Sequence, residues 1–168
     1  MRSGRRSAWL MWLPALGALA SCGIPTTGVV EAGGPASGVV PTTRVYFVAD
    51  GALVGVDRRI PAPVDLESTV QVLLKGPSPA ERAKGLTTLL PPAALWVRLT
   101  SRKDRVSIRL SAVPGDSADL AAAQLICTTV AAQRVITPEA EPLPVTVTSP
   151  GGLETWGTGT QCPRDPGA

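Results

Sequence analysis

The chain has 168 residues, 44% of them hydrophobic and 17% charged, enough apolar side chain for one packed domain between loose ends. Its formal charge of +3 is misleading: Arg2, Arg5 and Arg6 sit in the first six residues, and without them 16 − 3 = 13 basic residues face 13 acidic ones, a balance that does not support a basic stripe for nucleic acid or anionic lipid. The chain has no histidine, the commonest general base and zinc ligand, so no catalytic residue, metal or cofactor is expected.

The first predicted element is a targeting segment. Arg2, Arg5 and Arg6 form a positive start, and residues 8–20 are almost wholly apolar. As a helix that stretch reaches only about 20 Å, against a hydrocarbon core of about 30 Å. It reads as a signal peptide and not as a membrane span. Leu19-Ala20-Ser21-Cys22 then has the form of a bacterial lipobox: an aliphatic residue, two small ones, and a thiol to take diacylglycerol. Secretory cleavage after Ala18-Leu19-Ala20 is the competing reading, but it does not account for a cysteine at that place. Residues 1–21 are therefore expected to be removed. Cys22 is the expected lipidation site, anchoring the protein to the extracytoplasmic face of the cell membrane through two acyl chains of the palmitate kind. Arg5-Arg6 leaves the choice between general and twin-arginine export open.

Residues 22–43 follow as the lipidated cysteine and a Gly, Pro and Thr tether without periodicity, with a reach of roughly 25 Å. The folded part is expected from Arg44. Val45–Val48 reads as a strand, Asp50-Gly51 as a hairpin turn, and Leu53–Ile60 as the return strand. Asp65 caps a helix over Leu66–Lys75, with Leu66, Val70, Leu73 and Leu74 on one face, stopped by Gly76-Pro77. Ser78, Pro79 and Glu81 form the capping box of a short second turn. Leu95–Thr100 and the alternating Val106–Leu110 are strands around a turn at Arg102-Lys103-Asp104. Asp116–Arg134 is a long helix with Leu120, Ala123, Cys127, Val130 and Ala131 on one side, and Val145–Val147 is a last strand. The order ββαββαβ predicts an α+β two-layer sandwich, with two main helices on one face of a mixed sheet. Residues 151–168 read as a tail.

Several of these words, in this order and spacing, carry a resemblance. They are Val45-Tyr46-Phe47 before Asp50-Gly51, Leu73-Leu74-Lys75-Gly76-Pro77, Gly85-Leu86, Leu90-Pro91, Val106-Ser107-Ile108-Arg109-Leu110 and Gln124-Leu125-Ile126-Cys127-Thr128. Over residues 44 to about 150 the chain resembles the GerMN domain of sporulation and spore germination proteins, and is similar to the N-terminal domain of LpqB-type actinobacterial lipoproteins. The resemblance implies a non-catalytic envelope module with a fold like ring-building motifs, and an envelope protein as partner.

Cys127 and Cys162 are the thiols left once Cys22 is acylated, and in an exported chain they are expected to form a disulfide. It would close 34 intervening residues, contribute about 3–4 kcal/mol and pin the tail. The competing reading is a free thiol buried on the apolar side of the helix. Arg58-Arg59 and Arg102-Lys103-Asp104-Arg105 read as solvated turn residues, or else as partner contacts. Asp50 and Asp57 read as turn chemistry. Of Tyr46 and Phe47, one is expected in the core and the other on a surface patch. The expected function is a non-catalytic binding or scaffolding lipoprotein. The alternative is a small-ligand or cell-wall carbohydrate binder, which a pocket lined by Trp96 and Tyr46 would favour.

Overall fold

The computed structural model describes residues 40–60, 62–90, 97–112 and 117–163. The expected signal peptide, Cys22 and most of the expected tether lie outside the described residues, as do Trp96 and Asp116. Strands β1 (Thr42–Ala49) and β2 (Ala52–Arg59) form an antiparallel hairpin. Asp50 and Gly51 turn it with φ of 49° and 74°, the mirror-image turn whose twist matches the strands. β1 begins three residues earlier than the expected strand, because Arg44 and β-branched Thr42 and Thr43 continue the ladder opposite Asp57, Arg59 and Arg58. Thr43 is buried, and the Ile60 amide donates to the Pro41 carbonyl at 3.0 Å, so the end of the tether belongs to the domain.

Helix α1 (Leu66–Leu74) starts where Asp65 accepts from the Ser68 amide at 2.8 Å. It buries Val70, Leu73 and Leu74, and ends at Gly76, whose φ of +76° is a conformation suited to glycine. Helix α2 (Pro79–Arg82) carries the capping box of Ser78 and Glu81. Strands β3 (Val97–Ser101) and β4 (Val106–Leu110), helix α3 (Ala118–Ile136), then strands β5 (Val145–Thr148) and β6 (Glu154–Gly157) complete the order.

The fold is α+β, with helices on one face of a mixed four-stranded sheet ordered β3-β4-β5-β6. β4 and β5 run parallel and α3 is their crossover; the other pairs are antiparallel. Val106, Ile108, Leu110, Val145 and Val147 point inward and meet α1 and α3, while the residues between them point away.

Three features differ from the sequence reading. The tail contains β6, which pairs Thr155 and Trp156 with Val147 and Thr146. Among the described residues no ladder joins the hairpin to the larger sheet; one core, running from Val45 and Phe47 to Val147, unites them. The buried side of α3 is also not the expected stripe. Of that stripe Cys127 and Val130 are buried but Leu120, Ala123 and Ala131 are half-buried, while Ala121, Ala122, Leu125, Ile126, Thr129 and Ala132, outside it, are buried as well. The physical reason is that α3 is covered from several directions, by α1, β1, β5 and β6, so one stripe cannot describe it.

Candidate functional site

Cys127 lies two residues from Leu125, about 200° around a helix of 3.6 residues per turn. Leu125 faces the core, so Cys127 looks the other way, yet it is 1% exposed. The C-terminal segment covers it. The Cys127 and Cys162 sulfurs lie 2.01 Å apart and their Cα atoms 5.5 Å apart, within the range of about 4.4–6.8 Å for a disulfide. The approach is close: a Cβ on Gly159, at φ +90°, would stand 2.6 Å from Val130 Cγ1.

The same side of α3 holds the outer edge of β1. The Tyr46 amide donates to Thr128 Oγ1 at 3.0 Å, and its carbonyl accepts from Gln124 Nε2 at 2.9 Å. Gln124 Oε1 accepts from the Leu89 amide at 2.9 Å, and Val48 exchanges two backbone bonds with Thr87 at 2.9 and 2.8 Å. An edge that could recruit another strand is thereby occupied from within. Gln133 works alike on the connection after α3, holding the Leu143 carbonyl at 3.1 Å and its amide at 2.8 Å. The sequence reading missed Gln124, Thr128 and Gln133. Its one available signal was Gln124 and Thr128 at i, i+4 on an otherwise apolar helix.

Tyr46 and Phe47 are both buried, which corrects the expected surface patch. α3 and the C-terminal segment cover Tyr46, whose hydroxyl donates to the Pro163 carbonyl at 3.4 Å. A groove of about 660 Å³ runs beside it, lined in part by Arg44, Asp57, Arg134, Glu141 and Cys162. Trp96, the other half of the expected ligand pocket, lies outside the described residues.

The charged residues divide. Arg58 is no solvated turn residue. It lies on β2, donates through both terminal nitrogens to the Glu81 carboxylate, with Nη1 to Oε1 at 2.7 Å, and sits 5.4 Å over the Phe47 ring. The Arg58 guanidinium first, and the Ser78 amide second, lower the Glu81 carboxyl to about 2. Asp57 is not a turn residue either; it pairs with Arg44 across the strands at 3.0 Å. Arg102, Lys103, Asp104 and Arg105 are exposed around the β3–β4 turn, where Arg105 binds Asp104 at 2.9 Å and lowers its carboxyl.

Among the described residues no helix is long and apolar enough to cross a membrane, and no group of three or more His, Cys, Asp or Glu is placed to hold a metal ion. No curated protein and no solved structure matches the chain. Residues 44–138 match the Germane family, described as sporulation and spore germination; the match begins within β1 and ends just after α3, with β5, β6 and Cys162 beyond it. Since the match takes in β1 to β4, all three helices and more than half of the chain, the protein belongs to the Germane (GerMN) family of sporulation and spore germination.

Proposed function

We propose that the protein is an envelope lipoprotein, anchored to the extracytoplasmic face of the cell membrane through diacylglycerol on Cys22, whose GerMN domain is a non-catalytic binding or scaffolding module. The lipobox Leu19-Ala20-Ser21-Cys22 supports the anchor. One observation carries the rest: among the described residues, the polar side chains gathered around α3 and at the α2 cap are engaged in holding the fold. Gln124, Thr128 and Gln133 bind backbone, and Cys127 faces Cys162. The carboxyls of Asp65, Glu81 and Asp104 are lowered by hydrogen bonds from a helix cap or an arginine, whereas a general acid needs a raised one.

Crosslinking the tagged, lipidated protein in its own cells, with mass spectrometry of the products, tests this reading. It predicts a recurrent envelope component among the products. Turnover of any substrate, abolished by a single Asp, Glu or Lys substitution, would contradict it. The second reading, a small-ligand or cell-wall carbohydrate binder, is favoured by Trp156, which stands 71% exposed on the sheet.

A further inference from the structure

The face of the four-stranded sheet turned away from the helices is built in rows. The register aligns Arg98, Arg109, Thr148 and Glu154 across β3 to β6, and Thr100, Ser107, Thr146 and Trp156 in the next outward row. Trp156 is the most exposed large apolar side chain among the described residues. Arg98 and Arg109 stand directly opposite one another, an arrangement that repels, and neither has an ion-pair partner among the described residues. The turn between their strands adds Arg102, Lys103 and Arg105 against Asp104 alone. A chain that is neutral beyond its signal thus concentrates positive charge on one hairpin.

Two hollows lie on this face. One of about 280 Å³ is lined by Arg98, Arg109 and Thr148, and one of about 380 Å³ by Pro144 and Trp156; Arg105, Thr146 and Glu154 line both. Sharing those three residues, the two adjoin, and they are treated as one trough. Strands about 4.8 Å apart and a rise of about 3.3 Å per residue put Arg98 roughly 16 Å from Trp156.

We propose that this trough binds an anionic polysaccharide, with a sugar ring stacked on Trp156 and its acidic substituents held by Arg98 and Arg109. Thr100, Ser107 and Thr146 supply hydroxyls along the same row for those of the sugar. An indole face offers an apolar platform to a ring, and guanidinium groups match carboxylate or phosphate geometry. An acidic peptide would share the charge but not the row of hydroxyls that suits a sugar, and polyglutamate in the test below separates the two. A flat lipid surface would leave the trough unfilled. The proposal deepens the carbohydrate-binding form of the envelope reading, and its test needs neither the anchor nor the cell, so the two can fail separately.

The exported chain, released in soluble form as Cys22→Ser, is titrated calorimetrically with polygalacturonate, dextran, polyglutamate and phosphatidylglycerol vesicles. Saturable binding to polygalacturonate and none to dextran is expected, weakening as salt is raised. Trp156→Ala should weaken it about tenfold, and Trp156→Phe should restore most of it. Arg98→Gln with Arg109→Gln should also weaken it about tenfold. These side chains are exposed, so the variants should melt with the parent protein, and the Phe variant retains the ring in any case. Failure to bind polygalacturonate, binding unchanged by Trp156→Ala, or equal binding to polyglutamate or vesicles would overturn the proposal.

Discussion

Gln124 and Tyr46, 78 residues apart, are joined by a 2.9 Å hydrogen bond from the amide nitrogen to the β1 carbonyl, and the other end of the same amide holds Leu89. One side chain thus closes the edge of β1 and fixes the loop after α2. Gln124 is fully buried, so no water stands ready to replace it. Gln124→Leu leaves two backbone groups unsatisfied and should destabilise by about 2–4 kcal/mol in urea unfolding. Thr128→Val strands only the Tyr46 amide and should cost about 1–3 kcal/mol. Equal stability of wild type and Gln124→Leu would show that this edge is held by other means.

The Cys127–Cys162 pair joins residues 35 positions apart. The protein isolated from its own cells without reductant should have an intact mass about 2 Da below the dithiol form, and neither residue should alkylate unless reduced first. Cys162→Ala should lower stability by about 2–4 kcal/mol. Gly159→Ala tests the docking apart from the bond, because its Cβ would collide with Val130; a loss of about 1–3 kcal/mol is expected with the cysteines still paired. Alkylation of both thiols in the unreduced protein would refute the pairing.

Glu81 links stability to acid. Its carboxyl is lowered to about 2 in the folded protein, while an unfolded glutamate titrates near 4.3. The unfolded chain therefore binds more protons in that window, and stability rises with pH there. The contribution is full above about pH 5 and is lost as pH falls toward about 2. Asp65, also lowered, acts in the same direction. The Arg58–Glu81 pair is about one-fifth exposed, 22% and 19% by side chain. After solvent screening the loss should be about 1–2 kcal/mol. Urea midpoints should fall more steeply with acid in the wild type than in Glu81→Gln. Parallel curves would mean that the ion pair contributes nothing.

What was legible in the sequence was local. Asp50-Gly51 announces its turn, Ser78 and Glu81 their capping box, and Val106–Leu110 its alternation, because each signal lies within a few residues. β6 was not legible: Thr155 and Gly157 hold its inner positions, and its large apolar residue, Trp156, points to solvent. The strand forms because β5 is there to pair with it. The roles of Gln124 and Arg58 were hidden for a different reason, since their partners Tyr46 and Glu81 are 78 and 23 residues away. The cysteine pair was readable by elimination among three cysteines, but its place on α3 was not, because the helix is covered on more than one side.

Metabolic labelling with an alkyne fatty acid tests the central claim, a lipid-anchored module, most directly. Wild-type protein should carry the label and stay with the membrane fraction. Cys22→Ala should carry none, and should appear in the medium or as uncleaved precursor. Equal label on wild type and Cys22→Ala would contradict the account.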